Sequence, residues 1–572
     1  MSADTAAWET TWADSLARVI ETARTWRDHD PDPATRAELT RLIDAADGGD
    51  AAAVTELGSR FRGPLTFGTA GLRGEVGAGE SRMNVATVVR ATHGLGRYLV
   101  DTVGPDARVV VGCDARRGSD AFLDATAEVL AAQGLTVLTL PRRLPTPLTA
   151  YATRALDCDA GVMITASHNP PVDNGYKVYL GGRATDDAGR GVQIISPADV
   201  EIAARIDTAP PADEVPRTTA GITALDDEIV DAYIRRTAGL RRSTAPSPVR
   251  VVLTALHGVG GQTALAVLDR AGVSDVHVVD DQFTPDPDFP TVAFPNPEEP
   301  GALDLALDLA RSVDAHVVIA LDPDADRCSV ATPTRDGGWR QLSGDELGWL
   351  LGEQAASDPD RAGHTLACSI VSSRLLGKIA AHHGLDFAAT LTGFKWIART
   401  PDLRFGYEEA IGYCTDPEAV RDKDGISAMV RVVDLVEDLA RRGRTLEDQL
   451  DDLARRHGLH ATAPLTIRVD DVAEIAPMMS RLRDSHVASL AGSDVVEFRD
   501  LADGSAGLPP TDGILLRTAA DDRVVIRPSG TEPKLKCYLE VVLGCPDGTI
   551  PRDAAAARLS ALKGDVATLL RS

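Results

Sequence analysis

Short apolar segments alternate with longer amphipathic segments along most of this 572-residue chain. Between residues 83 and 140 the pattern predicts four elements in turn: a helix near Val85 to Val100, a strand from Arg108 to Val111, a helix from Asp120 to Gln133 and a strand from Thr136 to Leu140. This alternation is typical of a mostly parallel sheet covered by helices. The same order restarts near Val249 and near Leu366. We therefore expect three similar α/β domains in series.

The two ends of the chain depart from this pattern. The first sixty or so residues carry amphipathic runs that predict helices without chemistry, packed on the outside of the first α/β domain. From Ala463 onward the spacing is more typical of an α+β domain. A chain of this length is too long for one core, and about three to five domains are expected. We predict four domains, with the limits 1–212, 213–334, 335–455 and 456–572.

Composition narrows the classes of function. The formal net charge of −26 and a sequence pI near 4.9 argue against general affinity for nucleic acid or an anionic membrane surface. No stretch is apolar for long enough to span a bilayer, and the first residues lack the layout of a secretory signal, so we expect a cytoplasmic protein. Seven cysteines without CxxC spacing predict reduced thiols rather than disulfides or a zinc site.

A serine lies at the tip of a polar turn that comes after a predicted buried strand, Gly161 to Ile164. The turn reads Thr165-Ala166-Ser167-His168-Asn169-Pro170, and a glycine turn at Gly175 is expected to bring Lys177 back close to the serine. A serine beside Asn-Pro can also be an ordinary turn residue that hydrogen-bonds its own backbone. Serine, histidine and lysine in one loop are, however, the groups needed for phosphoryl transfer with proton transfer.

Three aspartates at alternate positions come after a second predicted strand, Val317 to Leu321. They are Asp322, Asp324 and Asp326, with Arg327 directly after them. An EF-hand is excluded because Arg327 replaces the glycine of the sixth position and Pro333 replaces the final glutamate. A solvated acidic turn or the start of a haloacid-dehalogenase-type phosphatase are the alternatives. A site for Mg²⁺, which favours oxygen ligands, fits the aspartates best.

Two later segments offer groups that bind sugar phosphates. Near the carboxyl end, the predicted strand Val524 to Ile526 leads into a loop of an arginine, two hydroxyls and a glycine, typical of a phosphate site, with a solvated hairpin turn as the alternative. Between Phe405 and Tyr413, two glutamates lie in an apolar, glycine-flanked loop and could bind sugar hydroxyls, or be surface charge. The candidate residues are Glu408, Glu409, Arg527, Ser529, Gly530, Thr531 and Lys534.

These four segments, in this order, resemble the motifs of the α-D-phosphohexomutase superfamily, the phosphoglucomutases and phosphomannomutases. The resemblance runs from Phe67-Gly68-Thr69-Ala70-Gly71-Leu72-Arg73-Gly74 to Lys536, most of the chain. It implies three similar α/β domains and a smaller C-terminal α+β domain around a central cleft. It also implies a phosphosugar mutase that moves a phosphoryl group between C1 and C6 of a hexose phosphate, glucose or mannose, through a phosphoserine enzyme and a sugar bisphosphate.

The same resemblance implies a role for each candidate residue. Ser167 would be the phosphorylated serine, and Asp322, Asp324 and Asp326 would hold one Mg²⁺ per active site beside it. Arg73 and Arg327 would steady the transferring phosphoryl group, while His168, Lys177 and Lys395 are candidates for proton transfer or substrate contact. Glu408 would bind sugar hydroxyls, with Glu409 as a neighbouring candidate. The loop of Arg527, Ser529, Gly530, Thr531 and Lys534 would bind the phosphate that is not transferred.

The sugar loop departs from the usual pattern, because Glu408-Glu409-Ala410 lacks the serine of Glu-x-Ser. The metal loop, with Pro323 and Ala325, resembles the branch that includes phosphopentomutases and glucose-1,6-bisphosphate synthases, and both are alternative functions. A metal-dependent phosphatase with Asp322 as nucleophile and a sugar-phosphate sensor without turnover are less favoured. The expected partners are small-molecule sugar phosphates, with glucose 1,6-bisphosphate or a similar bisphosphate as activator, and the expected assembly is a monomer or a small homo-oligomer.

Overall fold

The computed structural model of this protein describes residues 17–68, 71–360, 362–469, 471–504, 507–529 and 534–571. The chain forms two compact units. The first extends to Ser329 and includes Asp416–Val433, and the second consists of Val330–Thr415 and the residues from Asp434 onward. Among the described residues, no helix has the length and apolarity needed to cross a bilayer. All seven cysteines are free thiols, and six of them are buried.

Three amphipathic helices open the first unit. They are the described part of α1, residues 17–28, and the helices α2 (Pro33–Asp47) and α3 (Ala51–Arg60). The side chains of Asp32 and Asp50 accept hydrogen bonds from the first free amides of α2 and α3, which fixes where both helices begin. Leu39, Ile43 and Leu57 are buried in a small core of their own. This agrees with the helices that the amphipathic pattern predicts.

A seven-stranded sheet comes next, and it carries the predicted serine loop. Its elements are β1 (Gly71–Glu75), α4 (Val85–Thr102), β2 (Arg108–Cys113), α5 (Ser119–Ala132), β3 (Thr136–Thr139), α6 (Thr146–Ala155), β4 (Ala160–Ile164), β5 (Asp173–Leu180), β6 (Val192–Gln193), α7 (Ala198–Asp207), β7 (Ile222–Ala224) and α8 (Glu228–Ala238). The strand order is β1-β5-β4-β2-β3-β7, with β6 beside β5. Strands β4, β2, β3 and β7 run parallel, and the apolar runs of β2 and β4 are buried on both faces. The four predicted elements are confirmed to within a few residues.

The predicted glycine turn before Lys177 is wrong. Residues from Asp173 to Leu180 form the continuous strand β5, antiparallel to β4, in which Lys177 pairs with Met163. A Cβ atom at Gly175 would lie 2.5 Å from the carbonyl oxygen of Thr165, so the glycine permits close strand packing rather than a turn. Lys177 is brought back towards Ser167 by strand pairing.

The second sheet brings the aspartate segment to the end of a buried strand. Its elements are β8 (Val251–Thr254), α9 (Gly260–Arg270), β9 (Val276–Val278), α10 (Asp280–Phe283), α11 (Asp304–Val313) and β10 (Val317–Leu321). Strands β10, β8 and β9 are parallel neighbours, and every residue of β10 is buried. The next strand, β11 (Cys328–Pro333), leads into the second unit. Ligand sites in such sheets lie beyond the carboxyl ends of the strands, which is where Asp322 begins.

The second unit contains a third α/β layer. Strand β12 (Trp339–Gln341) pairs with β11 and so belongs to the second sheet. The elements of the third layer are α12 (Gly344–Ala356), β13 (Thr365–Ser369), α13 (Leu375–His383), β14 (Asp386–Thr390), α14 (Phe394–Ile397), β15 (Leu403–Glu408), β16 (Gly412–Cys414), α15 (Gly425–Arg441), whose residues up to Val433 belong to the first unit, and α16 (Leu446–His457). The strand order is β14-β13-β15-β16, and only β16 is antiparallel to its neighbour. Helix α12 begins at a capping box in which Ser343 and Glu346 bind each other's main-chain amides.

The chain ends in an antiparallel sheet with two helices. Its elements are β17 (Leu459–Arg468), α17 (Ile475–Asp484), β18 (Ser489–Leu490), β19 (Ser493–Asp500), β20 (Ile514–Thr518), β21 (Arg523–Pro528), β22 (Lys534–Leu543) and α18 (Arg552–Arg571). The strand order is β17-β22-β21-β20-β19-β18. Alternate apolar residues of β20, β21 and β22 pack with both helices in one core. This is the α+β region that the spacing after Ala463 predicts.

Candidate active site

Ser167 lies at the tip of the turn between β4 and β5. Its φ angle of 52° is left-handed, which is uncommon for a residue other than glycine and favours a functional position. The Ser167 amide donates to Thr165 Oγ1 at 2.9 Å, and the Ser167 hydroxyl donates to Asp322 Oδ2 at 2.8 Å. His168 Nδ1 lies 3.4 Å from the same hydroxyl oxygen. The turn therefore presents the serine oxygen to one aspartate of the acidic loop.

The three predicted aspartates converge at one place. Asp322, Asp324 and Asp326 are at most 1% exposed, and one carboxylate oxygen of each lies within 4.8 Å of the others. Asp322 Oδ1 accepts the main-chain amide of Arg327 at 2.9 Å. Thr146 Oγ1 donates to Asp324 Oδ2 at 2.6 Å. The carboxylates are thus fixed by the turn itself and by the first residue of α6.

Main-chain contacts hold the loop from the sides. The Val259 amide donates to the Pro323 carbonyl at 2.8 Å, and the Gly425 amide donates to the Ala325 carbonyl at 3.1 Å. A Cβ atom at Gly258 would lie 2.3 Å from Pro323 Cα, so only glycine permits this approach. The main chain of Pro323 and Ala325 therefore anchors the loop, and the side chains of the three alternating aspartates converge.

Two lysines balance the charge of the aspartates. Lys177 Nζ lies 2.7 Å from Asp324 Oδ2 and 2.9 Å from Asp326 Oδ2, and Lys423 Nζ lies 3.2 Å from Asp326 Oδ2. Burial would lower the pKa of Lys177, but Asp324 and Asp326 outweigh it and raise the pKa above its usual value. Burial would raise the pKa of Asp326, but the two lysines and Arg327 hold it well below its usual value. Both groups are therefore charged at neutral pH.

The aspartate group fits a magnesium ion. Asp324 Oδ1 and Asp326 Oδ1 are buried, and neither has a hydrogen-bond donor within the described ranges of the chain. Buried carboxylate oxygens normally accept hydrogen bonds; here Asp326 Oδ1 has only the ion pair with Arg327 Nε at 3.6 Å, so both oxygens are suited to bind a further cation. Burial and the two neighbouring aspartates raise the pKa of Asp322 well above its usual value, which indicates an excess of negative charge. Converging hard oxygen ligands are what Mg²⁺ prefers.

Three more predicted residues lie around Ser167. Arg73, on β1, donates to Asn169 Oδ1 of the serine turn at 3.0 Å. Arg327 Nε lies 3.6 Å from Asp326 Oδ1. Burial, with Arg327 next in importance, lowers the pKa of His168 well below its usual value, so its imidazole is neutral at pH 7. The first unit thus brings together a hydroxyl, a neutral base, three carboxylates and the cations Arg73, Lys177 and Arg327.

The remaining predicted residues that the structure describes lie in the second unit. Lys395 is in the one-turn helix α14, and Glu408 is the last residue of β15; both are partly buried. Glu409 Oε2 accepts the hydroxyls of Ser369 at 3.1 Å and Ser372 at 2.9 Å. Burial, with Asp345 next, raises the pKa of Glu409. Glu409 therefore binds the turn after β13, in addition to any role towards substrate.

The predicted phosphate loop comes after β21. Arg527 lies in that strand, and the Ser529 amide donates to the Lys534 carbonyl at 2.9 Å, which closes the hairpin to β22. Gly530 and Thr531, which we also predicted to bind substrate, lie outside the described residues. Burial raises the pKa of Tyr538, the charge of Glu409 raises it further, and Arg527 lowers it. Tyr538 thus lies near both the predicted sugar loop and the predicted phosphate loop.

Sequence reasoning missed three residues that contact the serine turn or the aspartates, Thr146, Lys423 and Arg116. It also missed Tyr538, which lies near the predicted sugar and phosphate loops. Lys423 had a signal, since the chain has very few lysines and this one lies within the charged run Arg421-Asp422-Lys423-Asp424. Thr146 and Tyr538 had none, because their contacts join segments that are far apart in the chain. Arg116 donates to the carbonyl of Ser167 at 2.7 Å.

Comparison with known proteins supplies the family. Four successive regions match the phosphoglucomutase/phosphomannomutase domains: the alpha/beta/alpha domains I, II and III over residues 64–210, 231–337 and 343–457, and the C-terminal domain over residues 478–542. This chain belongs to that family. The predicted family and the fold class, three α/β domains and a smaller C-terminal domain, are confirmed. The predicted domain limits stay predictions.

Named relatives of this family member are mutases. A probable phosphomannomutase of Haemophilus influenzae is 45% identical over 82% of this chain and 94% of its own length. A phosphopentomutase of Mus musculus is 33% identical over 96% of this chain and 94% of its own length. The crystal structure of a putative phosphomannomutase from Thermus thermophilus superposes with a TM-score of 0.68, at 24% identity, over 89% of this chain and all of that one. The chain is thus an enzyme of the intramolecular phosphotransferase type.

Proposed function

We propose that this mutase moves a phosphoryl group between C1 and C6 of a hexose phosphate, glucose or mannose, through phosphorylated Ser167 and a sugar bisphosphate. The observation that carries this proposal is the hydrogen bond of 2.8 Å from the Ser167 hydroxyl to Asp322 Oδ2, at the point where three buried carboxylates converge. An ordinary turn serine has no need of buried charge at its oxygen. A serine that receives and gives up a phosphoryl group does, because a cation must be held there.

The residues of the first unit supply the parts of the transfer. A sugar hydroxyl oxygen forms a new bond to phosphorus as the bond from phosphorus to Ser167 Oγ breaks. The proton of the sugar hydroxyl moves to a base, for which His168 is suited, since it is neutral and its Nδ1 lies 3.4 Å from Ser167 Oγ. Arg73 and Arg327 offset the charge on the phosphoryl oxygens. The reverse step, from the other end of the bisphosphate, restores phosphoserine.

Magnesium is the cofactor that the site supports. Asp322, Asp324, Asp326 and the oxygen of Ser167 would hold it. When bound, it supplies positive charge that offsets the charge on the transferring group. Lys177 forms ion pairs with both Asp324 and Asp326 and so holds these two carboxylates in place. For the second unit, we propose that Glu408 binds sugar hydroxyls and that Arg527, Ser529, Gly530, Thr531 and Lys534 bind the phosphate that is not transferred, with Lys395 as a further substrate contact.

A pentose phosphate is the second candidate substrate. The 33% identity to a phosphopentomutase over 96% of this chain supports it, as does the absence of a serine after Glu409. The higher identity, 45%, to a probable phosphomannomutase favours the hexose. Transfer of the phosphoryl group to water would make the same site a phosphatase, and a supply of phosphoryl groups from another donor would make it a glucose-1,6-bisphosphate synthase.

A phosphorus NMR time course tests the proposal. The protein is incubated with Mg²⁺ and a trace of glucose 1,6-bisphosphate, and the 1-phosphates of glucose, mannose, glucosamine and ribose are offered separately. We expect the glucose or mannose 1-phosphate signal to be replaced by the 6-phosphate signal. Faster conversion of ribose 1-phosphate would overturn the choice of a hexose, and release of inorganic phosphate alone would overturn the mutase.

The variant Ser167→Ala tests the nucleophile. We expect it to abolish the interconversion and to remove the phosphorylated peptide from a mass spectrum, with an unchanged melting temperature. Ser312→Ala is a matched control, since Ser312 is exposed and its hydroxyl donates to the Leu309 carbonyl within α11. Substantial turnover by Ser167→Ala would refute the role assigned to this serine.

A further inference from the structure

Arg116 lies in the connection between β2 and α5 and points beneath the serine turn. Its side chain is 1% exposed. Its guanidinium donates to four main-chain carbonyls: those of Ser167 at 2.7 Å, Asn169 at 2.6 Å, Pro170 at 2.8 Å and Asp173 at 3.0 Å. These carbonyls cover the whole turn from the nucleophile to the start of β5. One side chain thus binds the turn along its length.

The geometry of these bonds requires arginine. Each of the two terminal nitrogens of Arg116 serves two carbonyls, which is possible because the guanidinium is a planar fork with donors at fixed angles. A lysine offers three donors on a single nitrogen and cannot reach four carbonyls spread along a turn. This position therefore requires the planar shape of a guanidinium as well as its positive charge.

Arg116 is itself fixed from behind. Asp114 Oδ1 accepts the Arg116 amide at 2.9 Å and the Ser119 hydroxyl at 2.6 Å, and Asp114 Oδ2 lies 3.6 Å from Arg116 Nε. The guanidinium carbon also lies 5.1 Å from the centre of the Phe289 ring, where a cation is attracted by the ring. These contacts hold the guanidinium in one position, and the serine turn hydrogen-bonds to it there.

The serine turn needs such support because of its own conformation. Ser167 has a left-handed φ of 52°, which the chain does not adopt without compensation. Asn169 of the same turn accepts from Arg73 at 3.0 Å, so the position of the turn also sets that contact. A shift of the turn would move the Ser167 oxygen away from Asp322 and Asn169 away from Arg73 together.

We propose that Arg116 is a positioning residue for phosphoryl transfer, which holds the left-handed Ser167 turn so that the serine oxygen stays beside Asp322. The inference rests on the proposed function, since it concerns the geometry of the same serine. Arg116 contacts the nucleophile only through main-chain carbonyls, so its effect is on the rate of transfer and on the capture of phosphate by Ser167. Its removal leaves the side chains proposed to bind substrate in place.

The variants Arg116→Lys and Arg116→Gln test this role. We expect kcat to fall by about a hundredfold, the usual effect of a misplacement of about 1 Å at reacting atoms. We expect KM to stay within about twofold, because an interaction needed only for transfer lowers kcat and kcat/KM equally. Arg117→Ala is the matched control, since its exposed side chain pairs with Asp288 and it should retain wild-type kcat. A value of kcat for Arg116→Lys equal to that of wild type would overturn the proposal.

A second measurement separates positioning from misfolding. Arg116→Gly is incubated with glucose 1,6-bisphosphate, and phosphate on Ser167 is followed by mass spectrometry with and without millimolar guanidinium chloride. We expect slow phosphorylation that guanidinium accelerates at least about tenfold, since the free cation can replace the missing fork. Equal rates with and without guanidinium, at an unchanged melting temperature, would overturn the proposal. Failure of the wild-type protein itself to become phosphorylated would instead refute the proposed function.

Discussion

The metal loop after β10 and the sugar loop after β15 begin alike but end differently. Both place carboxylates at the carboxyl end of a strand. In the metal loop, three aspartates converge within 4.8 Å. In the sugar loop, Glu409 binds Ser369 and Ser372, whereas Glu408 ends the strand with a partly exposed side chain. Both loops are rich in acidic residues, so composition alone does not explain why their carboxylates are arranged differently.

The spacing of the carboxylates explains it. Pro323 and Ala325, which alternate with the aspartates, make main-chain hydrogen bonds with Val259 and Gly425, and the side chains of Asp322, Asp324 and Asp326 converge. Glu408 is the last residue of β15, whereas Glu409, the first residue after the strand, accepts the hydroxyls of Ser369 and Ser372. The metal loop thus brings its carboxylates together, whereas Glu409 of the sugar loop binds a neighbouring turn and Glu408 stays the predicted contact for sugar hydroxyls.

The largest expected effect comes from the glycine that contacts each loop. A Cβ atom at Gly258 would lie 2.3 Å from Pro323 Cα, and one at Gly344 would lie 1.9 Å from the Glu409 carbonyl oxygen. Because the added methyl group would displace main-chain atoms of the loop in each case, we expect each alanine variant to lose about a hundredfold in kcat/KM. Gly258→Ala should lower kcat and raise the Mg²⁺ concentration needed for half-maximal rate, whereas Gly344→Ala should mainly raise KM for the sugar phosphate.

Steady-state kinetics at several Mg²⁺ concentrations checks this pair. Gly564→Ala in α18 is the control, since no atom lies within 4 Å of its added Cβ and alanine favours a helix. If Gly344→Ala shifted the Mg²⁺ requirement as strongly as Gly258→Ala, the division between a metal loop and a sugar loop would be wrong.

A smaller effect separates the two glutamates. Glu408→Gln should raise KM about tenfold, as for loss of a charged hydrogen bond to a sugar hydroxyl, with little change in melting temperature. Glu409→Gln should lower the free energy of unfolding by about 1 kcal/mol, because the Ser369 and Ser372 hydroxyls lose a shared carboxylate, with little change in KM. Steady-state kinetics and urea unfolding of both variants measure these changes. A rise in KM for Glu409→Gln and a loss of stability for Glu408→Gln would instead assign substrate binding to Glu409.

The smallest effect concerns pH and the segment that supports the metal loop. Burial raises the pKa of the Asp424 carboxyl to about 6 from its ordinary value of 3.8. Between these two values the folded protein binds more protons than the unfolded chain. The stabilising contribution of Asp424 is therefore complete below about pH 4 and is lost as pH rises through about 6.

Urea unfolding of wild type and Asp424→Asn between pH 4 and pH 7 measures this contribution. The asparagine does not titrate, so we expect the stability of wild type relative to the variant to fall as pH rises across the window. A difference that is constant with pH would contradict the assigned pKa shift.

Local pattern predicted much of the fold and part of the site. The period and length of apolar runs place β2, α5 and β10 within a residue or two of their observed bounds. Short-range spacing also predicts that Asp322, Asp324 and Asp326 act together, since a few chain positions span all three. Where neighbouring residues in the chain determine the local structure and chemistry, both can be predicted from the sequence.

The parts that could not be predicted are long-range contacts. Glycine is typical of turns, yet pairing with β4 makes Gly175 part of the strand β5. Thr146, Arg116 and Lys423 reach Asp324, Ser167 and Asp326 from other segments of the chain, and no local pattern records a hydrogen bond across such a separation. The sequence specifies these contacts only through the complete fold.

The segment Asp416–Val433 belongs to the first compact unit although most of the second unit's α/β layer precedes it in the chain. At about 5–20 residues per second, a ribosome releases Lys423 several seconds after Asp326. During that interval the nascent first unit lacks both the second lysine beside Asp326 and the Gly425 amide that binds Ala325. The order of synthesis therefore delays completion of the metal loop, and a nascent chain released before Gly425 cannot assemble it.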